Sequence, residues 1–146
     1  MTALDAAQQH QQQSRLNWGT RTIFLINGLG MSAWAPLVPF ARDRLQLSGA
    51  SLGALLLCLG IGSLAAMPVT GTLVARFGCR RVMCFSTLLV LVMMPLLATA
   101  DSHLLMAAAL MLFGAGLGML DVAMNYQAVQ VEQAAGKPMM SGFHGF

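Results

Sequence analysis

The sequence predicts an all-α, polytopic membrane protein with four transmembrane helices and the start of a fifth. Hydrophobic residues make up 57% of the chain and charged residues only 9%, against roughly 25% charged residues in a typical soluble domain. The few charges fall in short clusters, and the runs between them have about the 20 residues that a helix needs to cross ~30 Å of hydrocarbon. These two observations together predict a bundle of spanning helices joined by short charged loops.

The first 20 residues are polar and rich in glutamine, with Gln8 to Gln13 interrupted only by His10. A segment of this composition offers little apolar surface to bury. We therefore predict a disordered polar tail over residues 1–20, on the cytoplasmic side for the reason given below.

The first predicted transmembrane helix covers residues 22–41, which are 20 residues without a charge. Arg15 and Arg21 precede this run and could belong to a signal peptide, but the apolar run is longer than a signal peptide needs. A spanning helix is therefore the favoured interpretation. Pro36 and Pro39 should bend or loosen its outer half, because proline removes a backbone donor.

The second predicted helix, residues 50–73, lies within 31 uncharged residues between Arg44 and Arg76. Gly49, Gly53 and Gly60 fall near one face of this helix. Small residues on one face let a neighbouring backbone approach, so we expect the close helix contact there.

The third and fourth predicted helices cover residues 82–100 and 104–127, with Asp101 and His103 marking the turn between them. Residues 136–146 then look like a loop that leads into a fifth helix. Because the chain stops there without a polar tail, we expect it to be part of a longer protein.

The arginine loop between the second and third helices sets the predicted orientation. Lys and Arg near the ends of spanning helices favour the cytoplasmic face. Counted along the predicted spans, six basic residues fall on the side of this loop and two on the other. The six are Arg15, Arg21, Arg76, Arg80, Arg81 and Lys137, and the two are Arg42 and Arg44. The amino terminus is therefore predicted to be cytoplasmic.

The candidate chemistry lies in the fourth helix, where Gly114, Gly118, Asp121 and Asn125 share one stripe. Asp121 follows 17 uncharged residues, and a carboxylate inside a membrane is expensive unless it faces protein or water. Asp121 is therefore a candidate proton or ligand site, with Asn125 one turn further along. The alternative is that Asp121 lies near the cytoplasmic headgroups and simply ends the apolar span.

Asn27 is the other polar side chain of interest. It lies about six residues inside the first helix, on the order of 9 Å from its cytoplasmic end by the helical rise. Asp121 is at a similar depth if the fourth helix extends to Gln127. Asn27, Asp121 and Asn125 are thus predicted to line one cavity, although for Asn27 a hydrogen bond to a neighbouring helix explains the residue equally well.

The arginine loop resembles the signature loop of the major facilitator superfamily. The residues that carry the resemblance, between the second and third spans, are Gly71, Leu73, Arg76, Gly78, Arg80 and Arg81. The chain departs from the pattern at Ala75, where the family usually has an acid, and at Cys79, where it usually has a base. The resemblance implies that this loop is a cytoplasmic gating loop, with a weakened contact where the acid is missing.

The segment Leu117 to Asn125 is similar to the fucose-permease branch of that superfamily, which has an acid four residues before an asparagine. Ser141 to Phe146 also resembles uncharacterised bacterial inner-membrane members. The resemblance implies proton-coupled transport of a small solute, with Asp121 as the coupling residue and Asn125 as its polar partner. It further implies the first part of a twelve-helix fold, residues 21–146 being a partial six-helix half that needs the missing helices. His144 would begin the fifth helix, where a lone histidine is more often structural.

Other functions fit the sequence less well. No metal-ligand cluster, nucleophile with a base at helical spacing, or phosphate-binding glycine loop is present, so we predict no enzyme activity, metal or cofactor. The basic residues form no stripe with interleaved aromatics, which argues against nucleic acid as a partner. The expected partners are the lipid bilayer, a small solute and protons. The remaining alternative is a complete four-helix membrane protein that acts through oligomerisation as a small exporter or a structural subunit.

Overall fold

The computed structural model describes residues 3–145, which form six helices joined by short turns. In chain order these are α1 (Ala3–Trp34), α2 (Leu37–Arg44), α3 (Gly49–Phe77), α4 (Cys79–Thr99), α5 (His103–Ala135) and α6 (Met140–His144). Within the described part, α1 with α2, α3, α4 and α5 are the segments long and apolar enough to cross a membrane. The predicted all-α polytopic fold is confirmed. The fifth helix, predicted to begin at His144, instead begins at Met140 and ends at His144 as α6.

The helices run alternately between two ends of the bundle. We call the end with the turns after α2 and α4 the Arg44 end, and the end with the α3–α4 and α5–α6 turns the Arg80 end. Ser48 and Ser102 start helices at the Arg44 end, their hydroxyl oxygens accepting the backbone N–H of Ser51 (3.1 Å) and Leu105 (3.2 Å). Such side-chain caps satisfy donors that have no partner within the helix.

Two helices extend further at the Arg80 end than their apolar runs suggest. Helix α1 begins at Ala3, which differs from the disordered tail predicted for residues 1–20, and α5 continues to Ala135 rather than 127. Alanine and glutamine favour helices once one is nucleated. The two extensions also touch, since the Gln13 side-chain amide donates to the Val131 carbonyl oxygen (3.2 Å). The apolar runs therefore predicted which segments are long enough to cross a membrane, but not the full length of each helix.

The first span is interrupted near the Arg44 end of the bundle. A turn at Ala35 and Pro36 separates α1 from α2, and the Val38 N–H donates to the Ala35 carbonyl oxygen across it (3.3 Å). The interruption lies where the two prolines predicted loosening. It leaves α2 free to pack across the Arg44 end, where Ala41 is buried.

Helix α5 is the centre of the bundle, with α1, α3 and α4 packed around it. Its buried side chains extend from Met106 to Val131, whereas the other spanning helices are mostly exposed on the outside of the bundle. An apolar, outward-facing surface is what a bilayer requires of such helices. Helix α5 therefore carries the core, and the site described below lies on it.

The close contact between α3 and α5 uses glycines other than those predicted. A Cβ on Gly62 would lie 2.0 Å from the Met111 carbonyl oxygen, and one on Gly114 would lie 2.0 Å from that of Leu59. Gly49, Gly53 and Gly60 have nothing within 4 Å of such an atom, so the predicted contact face is wrong. At about 100° per residue, Gly62 is on the far side of α3 from Gly60.

Candidate functional site

A cavity of about 450 Å³ lies between α1, α5 and α6, and we call it the Asp121 cavity. It brings together two of the predicted site residues, Asn27 and Asp121. Its lining residues are Phe24, Leu25, Asn27, Gly28, Leu29, Ser32, Asp121, Met124, Phe143 and His144. The cavity therefore combines an apolar wall with a few polar side chains, as small-molecule sites usually do.

Asp121 and Asn125 form a local pair on α5. The Asn125 side-chain amide donates to the backbone carbonyl oxygen of Asp121 (2.8 Å) and to its Oδ1 (3.3 Å). Both side chains are partly buried. Asn125 does not line the cavity, so its contribution to the site is to orient the carboxyl group of Asp121.

Asn27 has an amide oxygen that is buried and accepts no hydrogen bond from any described residue. The residue lies between the Asp121 cavity and a second cavity of about 310 Å³ between α1 and α4. Thr87 lines that second cavity, and its hydroxyl likewise has no partner in the described part of the chain. Because a buried polar atom without a partner is costly, Asn27 is a candidate acceptor for a group that enters from outside the described residues.

Aromatic rings form the wall of the Asp121 cavity near the Arg80 end. The rings of Phe24 and Phe143 stack with their centroids 5.9 Å apart and an interplanar angle of 24°. His144 meets Phe24 edge-on, with centroids 4.9 Å apart and an angle of 68°. The sequence analysis did not place Phe24, Ser32 or Phe143 in the site, because α6 must be packed on α1 before these residues meet. The available signal was His144, the one titratable side chain in α6.

The arginine loop is built around Gly78. This residue ends α3 and starts α4 by itself, with φ +84°, a conformation that glycine adopts without the strain other residues incur. Gly78 is thus the residue that turns the chain between the two helices. Nothing lies within 4 Å of a Cβ built on Gly71, so Gly71 makes no close helix contact.

The three arginines of the loop are exposed and point to different surroundings. The guanidinium carbon of Arg76 lies 5.4 Å from the centroid of the Phe77 ring. Arg80 lines a cavity of about 560 Å³ between α1 and α4, together with Arg15. Arg81 lies beside Phe77 and Phe85. The three arginines thus place positive charge on the exposed surface of the Arg80 end.

Cys79, where the signature loop usually has a base, instead ties α4 to α5. Its thiol donates to the Ala123 carbonyl oxygen (2.9 Å), and the side chain is half-buried. Among the described residues, no group of three or more His, Cys, Asp or Glu side chains is arranged to hold a metal ion. The chemistry that the arrangement supports is hydrogen bonding and proton binding at the Asp121 cavity.

Comparison with known proteins points to one family. The sequence profile described as the Major Facilitator Superfamily matches residues 22–146. An uncharacterized MFS-type transporter of Yersinia pestis is 57% identical over 126 residues, which are 86% of this chain and 33% of that protein. An uncharacterized transporter of Sinorhizobium fredii is 40% identical over 126 residues, again 86% of this chain and 33% of the relative. The membrane protein MosC of Rhizobium meliloti is 35% identical over 122 residues, or 84% and 30%.

The extent of these matches bears on the alternatives left open by the sequence. The chain spans about a third of the length of the relatives it matches. The matches favour a transporter over a small four-helix exporter or a structural subunit. No solved structure matches the chain significantly.

Proposed function

Because this chain belongs to the major facilitator superfamily, we propose that it forms part of a transporter that moves a small solute together with protons. The observation that carries the proposal is the Asp121 cavity, a space of about 450 Å³ that both Asp121 and Asn27 line. The amide oxygen of Asn27 is buried and has no hydrogen-bond partner among the described residues. A carboxyl group at such a place is a functional candidate by default.

In this proposal Asp121 binds and releases the coupled proton. A carboxyl group in low-dielectric surroundings has a lower free energy when it is protonated than when it is charged. Moving the solute together with a proton therefore costs less free energy than moving it with a bare carboxylate. Asn125 contacts the carboxyl group through its hydrogen bond to Oδ1 (3.3 Å), while its other hydrogen bond goes to the backbone carbonyl oxygen of Asp121. Asn27 accepts a hydrogen bond from a hydroxyl or amino group of the solute.

The arginine loop is proposed to act as the gating loop of the full transporter. Gly78 provides the sharp turn, and Arg76, Arg80 and Arg81 contact the remaining helices or the lipid headgroups on the same side. Gly71 belongs to the loop by its place in the signature alone. Alternating access between two helix bundles requires such contacts at the faces of the membrane, and the missing helices are therefore partners in the proposal.

The Arg80 end is proposed to face the cytoplasm of a bacterial inner membrane, with the amino terminus on the same side. Six of the eight Lys and Arg residues belong to the α1, α3–α4 and α5–α6 segments at this end, and Arg42 and Arg44 lie at the other. This bias is what the positive-inside rule expects. The relatives named above are bacterial proteins.

The proton-coupling proposal is tested with the full-length protein in intact cells at weak buffering. Neutral sugars and small organic acids are added one at a time, and the external pH is recorded. We expect at least one solute to cause alkalinisation, and Asp121→Asn to reduce its initial rate by roughly tenfold or more, as for loss of an essential proton acceptor. Asp101→Asn, in the exposed turn before α5, is the matched control. Unchanged alkalinisation in Asp121→Asn would overturn the role of Asp121.

The orientation is tested by thiol labelling in a background in which Cys58, Cys79 and Cys84 are replaced by serine. Asp101→Cys should react with a membrane-impermeant maleimide in intact cells. Arg76→Cys should react only after the membrane is opened. The reverse pattern would show that the Arg80 end faces outward.

A further inference from the structure

The Asp121 cavity contains a second titratable side chain, His144. The residue lies in α6 and lines the cavity together with Asp121 of α5 and Asn27 of α1. Helix α1, which forms the remaining wall, contributes no titratable group to the cavity. Its lining residues are Phe24, Leu25, Asn27, Gly28, Leu29 and Ser32. A carboxyl group and an imidazole therefore line the same space.

The place of His144 is fixed by contacts at both ends of α6. At the start of the helix, the Glu132 carboxylate accepts the backbone N–H groups of Met139 (2.6 Å) and Met140 (2.8 Å). At its end, Phe143 is buried and stacks on Phe24, and the His144 ring meets the same Phe24 edge-on. These contacts hold the imidazole beside the cavity.

One nitrogen of the imidazole is already used. His144 Nδ1 lies 3.1 Å from the Met140 carbonyl oxygen, and a carbonyl can only accept, so Nδ1 carries a hydrogen. This leaves Nε2 as the nitrogen that gains or loses a proton. The backbone hydrogen bond therefore selects the tautomer suited to proton exchange at Nε2.

We propose that His144 exchanges protons with Asp121, so that the two side chains form one proton-transfer pair in the cavity. In the transfer, imidazolium Nε2–H gives its proton to a bridging water molecule, which passes a proton to the Asp121 carboxylate. The products are a neutral imidazole and a carboxylic acid. The pair has zero net charge before and after the step, which limits the cost of holding charge in a low-dielectric site. This inference rests on the proposed function, because it assigns the group that exchanges protons with Asp121.

The groups that face His144 from the packed elements define what must be controlled. From α5 these are Asp121 at the cavity and Glu132 at the start of α6. Asp121→Asn removes the partner with which the imidazole exchanges its proton. Diethyl pyrocarbonate modifies only the neutral ring, so its reaction rate reports the loss of that partner without any transported solute.

The experiment compares modification of His144 in the full-length protein in membrane vesicles at about pH 6, where imidazoles are largely protonated. Mass spectrometry follows the peptide that contains His144, and the exposed His103 at the Arg44 end serves as an internal control. We expect Asp121→Asn to speed modification of His144 roughly fivefold, equivalent to about 1 kcal/mol. Asp121→Glu retains the charge and should leave the rate near that of the wild type, as should Asp101→Asn.

A reciprocal measurement protects the test against a local change of structure. A hydrophobic carbodiimide labels protonated carboxyl groups, and His144→Gln, which cannot carry a positive charge, should increase labelling of Asp121. Equal rates at His144 in the wild type and Asp121→Asn, or unchanged labelling of Asp121, would overturn the pair. Neither readout uses transport. Failure of the pair is therefore distinguished from failure of Asp121 as the coupling residue, which the alkalinisation test measures separately.

Discussion

The two ends of the bundle are joined in different ways. At the Arg44 end, the guanidinium of Arg44 donates from Nε to the Ala100 carbonyl oxygen (2.9 Å) and from Nη2 to that of Leu97 (3.1 Å). Its Nη1 donates to the Ala98 carbonyl oxygen. One side chain thus satisfies three carbonyl groups at the end of α4, which a helix leaves without partners.

The Arg80 end has a looser construction. The three loop arginines are exposed, and a single glycine connects α3 to α4. The long-range polar contacts given above for this end are those of Gln13 and Cys79 with carbonyl groups of α5. The difference indicates that one side chain with three hydrogen bonds fixes the Arg44 end, whereas the hydrogen bonds at the Arg80 end are spread over Gln13, Cys79 and Glu132.

The close α3–α5 contact connects the two ends of the bundle. A variant that breaks this contact should therefore have the largest effect on stability. We expect Gly114→Ala to reduce the free energy of unfolding by about 3 kcal/mol, the upper range for overpacking, because its Cβ would lie 2.0 Å from the Leu59 carbonyl oxygen. The measurement is reversible unfolding by denaturing detergent in mixed micelles.

Gly60→Ala is the matched control for that variant. Nothing lies within 4 Å of a Cβ at Gly60, and alanine is the better helix former. Stability equal to the wild type or slightly higher is therefore expected. Equal losses in the two variants would show that the α3–α5 contact does not depend on close backbone approach.

The fixed joint at the Arg44 end is tested by Arg44→Ala, with an expected loss of about 1.5 kcal/mol for hydrogen bonds from a charged group at a partly exposed site. Arg44→Lys should recover only part of this, because an ammonium group cannot reach three carbonyls in the same geometry. Arg42 is the natural control, since its Nε donates only to Leu47 within its own turn (3.4 Å). A loss in Arg42→Ala as large as in Arg44→Ala would argue against the joint.

The sequence predicted the four spans because a hydrocarbon layer demands uncharged runs of set length. It could not predict how far α1 and α5 extend beyond that layer, because polar residues outside the membrane form helix or coil with similar ease. It also misplaced the contact face of α3, since glycines occur on two faces and only packing selects between them.

The sequence predicted that Asn27, Asp121 and Asn125 line one cavity, and only Asn27 and Asp121 do so. The residue counts that put these two at one level used helix ends other than those observed, since α1 begins at Ala3 and α5 ends at Ala135. The roles of Asn27, Asp121 and Asn125 in transport stay predictions. The placement of Phe24 against Phe143 and His144 depends on how α6 packs, which no local pattern in the sequence determines.

The α3–α4 turn at Gly78 should depend more on its backbone conformation than on the space available for a side chain. Gly78→Ala is expected to destabilise the protein by about 1 kcal/mol, because φ +84° is strained for any residue with a Cβ. Gly71→Ala, with open space and a position inside α3, should change stability by only a few tenths of a kcal/mol. If Gly78→Ala is also neutral, the turn has relaxed to another conformation and the Arg80 end is looser than proposed.

The smallest effect is expected where Glu132 holds α6, because the carboxylate is at the edge of the bundle and water can replace it. Glu132→Ala should speed hydrogen exchange of the Met139 and Met140 amides roughly fivefold, as for loss of one modest hydrogen bond. Glu132→Gln keeps an acceptor oxygen and should have a smaller effect, while the exposed neighbour Gln133→Ala is the control.

This last variant also separates a fixed α6 from a mobile one. If Glu132 is what keeps His144 beside the cavity, Glu132→Ala should reduce the fivefold response of His144 modification to Asp121→Asn, because the imidazole spends less time near the carboxylate. An undiminished response, with faster exchange at Met139 and Met140, would show that the stacking of Phe143 on Phe24 is sufficient to hold α6. Helix α6 would then be held by apolar packing, in contrast to the three hydrogen bonds with which Arg44 holds α4 at the other end.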